Sequence, residues 1–323
     1  MKQLFRILTG AVFCVSAISK LSDMEGFDLY LFSFGLLSFD LCSLLGRVLI
    51  ICELLLGLGL LSGLWRRFVN ISTAAMLLGL SAFLLWRLLL GDRESCHCFG
   101  PLLDLNPGQS LVKNLLLALM LAISWKAPGF AFLNSRPRLM PVLAALVGLA
   151  LASTVFALRP PSLWYRLGAK NKGELVENLW APKAEELGLD QGRQLLVFLS
   201  PLCEHCQHCI SKLTTIVSRH GLDTENIHLV FMVVAQNEEE NPLLLPYFFE
   251  QAGVGDPHYD TVHLPAAEFI SITNGVMPLV CLFEDGELLA EYGYNSLDEN
   301  ALVAFLALGD QTHEQGGAQQ QEE

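Results

Sequence analysis

Five apolar segments constrain the fold of this chain more than any other feature of its sequence. Each is long enough to cross the hydrocarbon core of a bilayer, which takes about 17 to 25 helical residues. They lie near residues 3–20, 45–64, 68–90, 111–127 and 139–158. Because lipid offers the backbone no hydrogen-bond partners, such segments cross a membrane as helices. The sequence therefore predicts an all-α bundle within the lipid bilayer.

The two halves of the chain differ in charge as well as in hydropathy. Residues 1–160 carry 13 Lys and Arg against 8 Asp and Glu, whereas residues 161–323 carry 7 against 25. The formal net charge of −13 therefore comes from the second half, whose own balance is −18. A strongly acidic soluble half argues against nucleic acid as a partner.

The first apolar segment has a second interpretation, a signal peptide whose charged start is Lys2 and Arg6. No small-x-small cleavage site follows it, which favours a spanning helix. A lipid anchor at Cys14 is disfavoured because the bulky Phe13 precedes that cysteine. We therefore expect five spans, of which residues 1–127 hold four and residues 128–164 hold the fifth and a linker.

The basic residues predict how these spans are oriented, since Lys and Arg accumulate in cytoplasmic loops. They cluster before the first span, after the second, and between the fourth and fifth: Lys2, Arg6, Arg66, Arg67, Lys126, Arg136 and Arg138. The loops near 20–45 and 91–110 are acid-rich, with Lys20 as the exception. We expect a bacterial inner-membrane protein whose N-terminus is cytoplasmic and whose soluble half is periplasmic.

Two cysteines of the soluble half stand at a position that favours thiol chemistry. Residues 194–199 are typical of a buried strand, and an amphipathic helix follows after a Ser-Pro turn. Cys203 begins that helix and Cys206 lies one turn further on. A helix N-terminus offers unpaired N–H groups and a positive dipole, so we expect a lowered pKa for Cys203. Cys206 would then attack a mixed disulfide formed by Cys203.

The remainder of the soluble half alternates strand patterns with turn signals. Residues 227–235 are typical of a second buried strand, and Pro278 opens a hairpin whose turn is Asp285-Gly286. A Met277-Pro278 pair just before a hairpin strand suits a cis-proline loop that faces the cysteines. A helix over residues 297–308 would close the domain. The polar residues 313–323 would form a disordered tail.

This order of elements resembles the thioredoxin fold over residues 165–312, an α/β domain with C-x-x-C at a helix start. The resemblance implies that Cys203 is the nucleophilic cysteine and Cys206 the resolving one. It also implies that Pro278 and Met277 line the substrate groove.

The residues around the two cysteines resemble the thioredoxin pattern only in part. His205 resembles the histidine in the Cys-Pro-His-Cys motif of the oxidising DsbA type, which implies a stabilised thiolate. No Trp precedes Cys203, and Glu204 replaces the usual Gly or Pro. A negative Glu204 beside the thiolate would raise the pKa of Cys203.

Other interpretations of this cysteine cluster stay open. Cys203, Cys206 and Cys209 could bind zinc together with His205 and His208, although three cysteines on successive turns fan round the helix axis. A c-type haem needs C-x-x-C-H and is excluded, because Gln207 follows Cys206. The cluster also lacks a fourth cysteine at an iron–sulfur spacing. Cys209 is expected as an accessory or buried thiol, with a relay role as the alternative, and Cys281 as part of the core.

A second pair, Cys96 and Cys98, follows the third apolar segment in the sequence CHCFG. A disulfide across one intervening residue closes a very small ring, far from relaxed geometry. Strained disulfides are easily reduced and are therefore labile or catalytic. Metal binding, or two unrelated loop cysteines, are the alternatives.

The first 127 residues resemble the MauE branch of the DoxX-like membrane proteins. The resemblance is carried by RILTGAVFCVSAISKL in the first span, Glu53 in the second, and above all CHCFG. It implies a four-helix bundle similar to that of vitamin K epoxide reductase. It also implies a part in disulfide formation in exported proteins, alongside a thioredoxin-like partner that this chain carries fused to it.

Charged and thiol side chains within the spans are candidates for a relay. Glu53 and Arg87 stand at similar predicted depths, so a structural ion pair between neighbouring helices is expected, with proton or electron transfer through Glu53 as the alternative. The cysteines Cys14, Cys42 and Cys52 could relay oxidising equivalents, although lone cysteines among leucines are usually small hydrophobes.

These observations favour a membrane-bound thiol–disulfide oxidoreductase that acts on cysteines of exported proteins. Electrons would pass between Cys203–Cys206 and Cys96–Cys98, with oxidation of the client slightly favoured. A membrane quinone is the expected acceptor by analogy with epoxide-reductase-like bundles. The alternatives are a maturation factor that carries copper or zinc on the same thiols, and a non-catalytic membrane adaptor.

Overall fold

The computed structural model describes residues 1–63, 65–90, 105–127, 140–168, 192–234, 241–255 and 259–307. The chain forms two compact units, Met1–Pro161 and Ser162–Glu323. Cys96, Cys98 and the predicted tail 313–323 lie outside the described residues.

The first unit is all-helical. Its elements are α1 (Lys2–Ser22), α2 (Met24–Ser33), α3 (Phe39–Ser62), α4 (Arg66–Leu89), α5 (Pro107–Ser124) and α6 (Met140–Leu158). By length and hydropathy, α1, α3, α4 and α5 are four candidate membrane spans. The shorter apolar stretch Ala145–Leu158 of α6 falls below that length, so the fifth span stays a prediction.

The four long helices pack as a bundle. Helix α1 contacts α3 and α5, α4 contacts α5 and α3, and α6 adds to the outer side of α3. Apolar side chains meet in its interior, around Phe13, Leu60, Leu77 and Leu121. The outer surface is apolar as well: Leu78 is 71% exposed and Leu115 60%. Helices that are apolar both inside and outside suit a lipid environment.

Glycines allow a close backbone contact between α1 and α3. A Cβ placed on Gly10 of α1 would lie 2.9 Å from the carbonyl oxygen of Gly57 in α3. A Cβ placed on Gly57 would lie 2.9 Å from the Gly10 oxygen and 2.6 Å from the Cys14 sulfur. Small residues at such a crossing bring two backbones together, which is a common way for helices to associate in lipid.

Helix α2 lies where the sequence analysis expected only a loop. Asp23 caps it by accepting a hydrogen bond from the Gly26 N–H at 3.0 Å. Its buried residues include Phe27 and Phe32. At ten residues the helix is too short to span a bilayer, so its length does not mark it as a membrane segment.

The second unit is an α/β domain. Its elements are α7 (Ser162–Gly168), β1 (Arg193–Leu199), α8 (Glu204–His220), β2 (Ile227–Val233), α9 (Asn241–Gln251), β3 (Asp260–Pro265), α10 (Ala266–Thr273), β4 (Leu279–Glu284), β5 (Glu287–Tyr292) and a last helix, α11, over 299–307. The strand order is β3-β2-β1-β4-β5.

The sheet contains both parallel and antiparallel neighbours. Strands β1, β2 and β3 run parallel, whereas β4 is antiparallel to β1 and β5 is antiparallel to β4. The central strand β1 is fully buried from Leu195 to Leu199, as expected for a strand covered on both faces. The order β2-β1-β4-β5, with α8 after β1, is that of a thioredoxin-like fold.

The hairpin and the first two strands confirm the sequence predictions. Asp285 and Gly286 join β4 to β5 with φ angles of 49° and 82°, which is the left-handed geometry that an Asp-Gly hairpin turn requires. The segment α9–β3–α10 between β2 and β4 was not predicted. It adds β3 to the edge of the sheet, in register from His228 opposite Asp260.

Candidate functional site

The thiol of Cys203 stands at the N-terminus of α8, as the sequence predicted. Strand β1 ends at Leu199, a turn follows, and Cys203 has extended backbone angles (φ −97°, ψ 115°) typical of an N-cap residue. Its sulfur accepts a hydrogen bond from the backbone N–H of Cys206 at 3.3 Å. The sulfur therefore takes the place that a Ser or Asp oxygen holds at other helix starts.

This environment lowers the pKa of Cys203 from an ordinary value of 9.0 to about 6. The largest cause is the hydrogen bond from the Cys206 thiol, and partial burial opposes it. The Cys206 backbone N–H and the charge of His205 lower the pKa further. Glu204 is not among the causes that shift this pKa, so the rise expected from it stays a prediction, and the lowered pKa favours the Cys203 thiolate at neutral pH.

Cys206 has the opposite character. It is completely buried, and its sulfur accepts a hydrogen bond from the Ser200 N–H at 3.4 Å. Burial and the neighbouring Cys203 raise its pKa. A half-buried thiolate beside a fully buried thiol is the asymmetry that distinguishes an attacking from a resolving cysteine.

Cys209 lies one turn further along α8 and is also completely buried. Burial raises its pKa to about 12, although the nearby Lys212 lowers it somewhat. A thiol with these properties is a poor nucleophile. Cys281 lies within β4, is fully buried, and belongs to the core cluster around Phe198 and Phe269.

The loop before β4 has the backbone that the sequence predicted. The Met277–Pro278 peptide bond is cis. Leu279 is paired with Phe198 in the sheet, so Pro278 stands beside the end of β1, from which the chain enters the turn to Cys203. Val276 and Met277 pack against the core cluster that contains Phe198.

Helix α8 carries a fully buried lysine that the sequence patterns did not predict. Lys212 has no exposed surface, and its Nζ donates to the carbonyl oxygens of Tyr294 at 3.2 Å and Leu297 at 2.9 Å. It therefore fixes the turn after β5 against the helix that carries the cysteines. The signal in the sequence is a lone lysine between Ile210 and Leu213 on the apolar face of an amphipathic helix.

In the helical unit the predicted Glu53–Arg87 ion pair is wrong. Glu53 of α3 accepts from Lys20 of α1 at 2.8 Å, and both side chains are less than one-tenth exposed. Arg87 of α4 donates to the Tyr30 hydroxyl of α2 at 2.6 Å and lies over the rings of Tyr30 and Phe34. Similar depth does not ensure contact, because the side chains must also face each other across the bundle.

The membrane cysteines within the described residues stand apart from one another. Cys42 is buried near the start of α3, with its sulfur 4.0 Å from the Leu37 oxygen. Cys14 is half-buried against Gly57, whereas Cys52 is exposed on the outer surface of α3. The predicted relay through these thiols stays a prediction.

Comparison with known proteins adds to this description. Residues 1–127 match the family model described as Methylamine utilisation protein MauE. The chain is also similar to Protein TlpB of Flavobacterium psychrophilum, with 25% identity over 311 residues, 78% of this chain and 80% of that protein.

Solved structures with a likeness to this chain cover a little over a third of it. They include the thioredoxin domain of a thiol–disulfide oxidoreductase from Bacteroides vulgatus, with 14% identity and a TM-score of 0.28, covering 37% of this chain and 83% of that one. StoA from Bacillus subtilis shows 18% identity and a TM-score of 0.27 over 36% of this chain and 83% of that one.

The four helices of membrane-spanning length agree with the match to MauE. Residues 1–127 are a MauE-like membrane domain, and this chain joins it to an α/β domain with a thioredoxin-like strand order and a C-x-x-C pair at a helix start.

Proposed function

We propose that this protein is a membrane-bound thiol–disulfide oxidoreductase that exchanges disulfides with exported proteins. The observation that carries the proposal is the Cys203 sulfur at the start of α8, with a pKa of about 6, beside the buried Cys206. The thiolate, and not the thiol, exchanges disulfides, and the half-buried Cys203 supplies one at neutral pH. Neither a metal carrier nor an adaptor needs this asymmetry between two neighbouring thiols.

The low pKa of Cys203 also supports a direction of electron flow. Stabilising the thiolate stabilises the reduced form, which makes the Cys203–Cys206 disulfide a stronger oxidant. In the proposed reaction a client dithiolate attacks the Cys203 sulfur and forms a mixed disulfide, with Cys206 as the leaving thiolate. The second client thiolate then displaces Cys203, so the client gains a disulfide and this protein gains two thiols.

The reduced pair must be reoxidised for turnover. We propose that Cys96 and Cys98 do this: a Cys96–Cys98 disulfide would accept two electrons from the Cys203–Cys206 dithiol and become a dithiol itself. Both pairs belong to one polypeptide, which gives each pair a high effective concentration for the other. The exchange requires both pairs on the same side of the membrane, the periplasmic side in the predicted topology.

A membrane quinone is the acceptor we expect at the end of this sequence. The cavity beside Glu53, lined also by Ser16, Lys113 and Asn114, has a volume of about 20 Å³. That volume accommodates about one water molecule and does not fit a quinone ring. We therefore derive no step through a quinone at Glu53.

Trapping of the mixed disulfide tests the proposed exchange. The full-length Cys206→Ser variant is expressed in bacterial membranes, thiols are quenched with acid, and peptides linked to Cys203 are identified by mass spectrometry. Without Cys206 the mixed disulfide cannot be resolved from this side, so we expect Cys203 linked to client cysteines and to Cys96 or Cys98. The matched control is Cys209→Ser, which should trap nothing.

The oxidation state of the wild-type protein then tests the direction. Cys203 found mostly as a disulfide with Cys206 at steady state supports the oxidase direction, whereas a mostly reduced pair supports a reductase. Cys203 recovered free from the Cys206→Ser variant, with copper or zinc bound to the purified protein, would contradict the exchange and favour the metal carrier.

A further inference from the structure

A basic cavity opens at the end of the bundle where α3 turns into α4 and α5 ends. Its volume is about 760 Å³, and its lining side chains come from α4, from the end of α5 and from the two segments that flank them. They are Gly63, Trp65, Arg66, Arg67, Phe68, Asn70, Trp125 and Lys126. We call this the α3–α4 pocket. No part of the proposed thiol chemistry uses it.

The described lining of the α3–α4 pocket carries three cations and no carboxylate. Arg66, Arg67 and Lys126 are all exposed to solvent. The first turn of α4 has no acidic residue, and its backbone N–H groups have no side-chain cap among the described residues. The positive end of the α4 dipole therefore adds to the charge of the side chains.

Two carbonyl oxygens at the end of α5 already accept hydrogen bonds from donors of the pocket. The Ala127 carbonyl oxygen, just after α5, accepts from Arg66 Nη1 at 3.0 Å. The Trp125 oxygen accepts from Nδ2 of Asn70 at 3.1 Å, and Asn70 is 4% exposed. The end of α5 thus offers little negative charge to Arg67 and Lys126, so the pocket is suited to an external anion.

Large aromatic side chains surround the cations. Trp65 is 52% exposed, Phe68 66% and Trp125 39%. Exposed tryptophans beside basic residues at the end of an apolar helix are typical of the headgroup level of a bilayer. A soluble anion gains nothing from these apolar surfaces, whereas an acyl chain attached to the anion does.

We propose that the α3–α4 pocket binds the phosphate headgroup of an anionic phospholipid. The guanidinium groups of Arg66 and Arg67 and the ammonium of Lys126 would contact the phosphate oxygens, and Trp65, Phe68 and Trp125 would contact the glycerol and upper acyl chain. Basic pockets between membrane helices bind anionic headgroups in this way. The proposal is independent of the thiol chemistry, since the two sites share no residue.

Lipid titration of the purified full-length protein tests the proposal. Delipidated protein in a neutral detergent is titrated with phosphatidylglycerol or with phosphatidylcholine of the same acyl chains, and bound lipid is counted by native mass spectrometry. We expect the wild type to prefer phosphatidylglycerol by about tenfold. The Arg67→Gln/Lys126→Gln variant, which leaves the Arg66–Ala127 hydrogen bond in place, should lose that preference.

Two further variants test whether the lipid preference depends on the positive charge of the α3–α4 pocket and not on cations elsewhere. The charge-preserving Arg67→Lys/Lys126→Arg variant should keep the preference, and so should Lys2→Gln, which removes a cation outside the pocket. Equal binding of both lipids by the wild type, or a preference that survives Arg67→Gln/Lys126→Gln, would overturn the proposal. Displacement of phosphatidylglycerol by millimolar inorganic phosphate would overturn the lipid assignment and indicate a soluble phosphate ligand.

Discussion

Lys20 of α1 donates to both carboxylate oxygens of Glu53 in α3, at 2.8 Å each. Nζ of Lys20 also donates to the Ser16 hydroxyl at 2.7 Å, and that hydroxyl lies 3.4 Å from Glu53 Oε2. Three polar side chains thus satisfy one another inside an apolar bundle. Charges buried in this way persist only with a partner, since an unpaired charge in lipid is costly.

Removal of one partner of this ion pair should therefore destabilise the bundle strongly. Lys20→Met leaves the Glu53 carboxylate buried without its cation, and Glu53→Gln leaves the ammonium without its anion. We expect each to lower the free energy of unfolding by about 3–5 kcal/mol, measured by thermal unfolding of the full-length protein in detergent.

The double variant Lys20→Met/Glu53→Met is the matched control, because it removes both charges together. It should be more stable than either single variant, since no unpaired charge remains. Additive losses in the double variant would contradict a direct ion pair.

The reactivity of Cys203 should titrate near pH 6. The reduced protein is alkylated with iodoacetamide across pH 4 to 9, and the peptide that contains Cys203 is quantified by mass spectrometry. We expect a midpoint at about pH 6, in place of the ordinary value of 9.0. Cys206→Ala should raise the midpoint, because the Cys206 thiol donates the largest stabilising hydrogen bond to Cys203.

The same shift predicts the pH dependence of stability. A lowered pKa stabilises the folded reduced protein fully above the ordinary pKa of 9.0, and this stabilisation disappears as the pH falls through about 6. The reduced wild type should therefore gain stability over Cys203→Ser between pH 6 and pH 9. A constant difference across that range would contradict the lowered pKa.

Cys209 should be dispensable for disulfide exchange. It is completely buried and its pKa is raised to about 12. Cys209→Ala should keep the rate of exchange with a dithiol peptide within about twofold of the wild type, while losing about 1 kcal/mol of stability from the small cavity left behind. Cys206→Ala, measured alongside, should abolish turnover. A tenfold slower Cys209→Ala protein would establish Cys209 as part of the relay.

Arg47 should hold the end of α6 in place. Its guanidinium donates to Oδ2 of Asp28 at 2.6 Å and to the carbonyl oxygens of Arg159 and Pro160, at 2.9 Å each. Arg47→Lys can keep the ion pair with Asp28 but cannot make all of these hydrogen bonds at once.

Amide hydrogen exchange measures how much more often the end of α6 opens in the Arg47→Lys variant. The amide of Arg159, which donates to the Val155 oxygen at 2.9 Å, should exchange about tenfold faster in Arg47→Lys, since a hydrogen bond to a charged group contributes about 1.5–3 kcal/mol. Arg87→Lys is the control, because Arg87 donates to Tyr30 instead. Unchanged exchange at Arg159 would contradict this role for Arg47.

The C-x-x-C site could be predicted from sequence because its signals are local. An apolar strand, a Ser-Pro turn and C-x-x-C at the start of an amphipathic helix follow one another within residues 194–206. The pairs Met277-Pro278 and Asp285-Gly286 have few backbone alternatives. The lowered pKa of Cys203 follows from the same local geometry, in which the Cys206 thiol and helix N–H groups donate to the Cys203 sulfur.

The partners of buried charges could not be predicted in this way. The predicted ion pair between Glu53 and Arg87 depends only on their similar depth in the membrane, which says nothing about the direction in which each side chain faces. The contact with Lys20 depends on the rotation of α1 against α3, which the packing of many side chains decides. Lys20 is the exception to the rule that Lys and Arg accumulate in cytoplasmic loops, because it is not a loop residue. It belongs to the last turn of α1 and is buried.

The contact of Gly10 with Gly57 limits how the sequence of this bundle can diverge. A side chain at either position would separate α1 from α3, and Glu53 lies one turn before Gly57 on the same helix. Lys20 would then have to reach across the larger gap between α1 and α3 to contact Glu53. We therefore expect the two glycines and the two charged residues to vary together among related sequences. An alanine or serine at position 10 or 57 should be accompanied by a change at position 20 or 53.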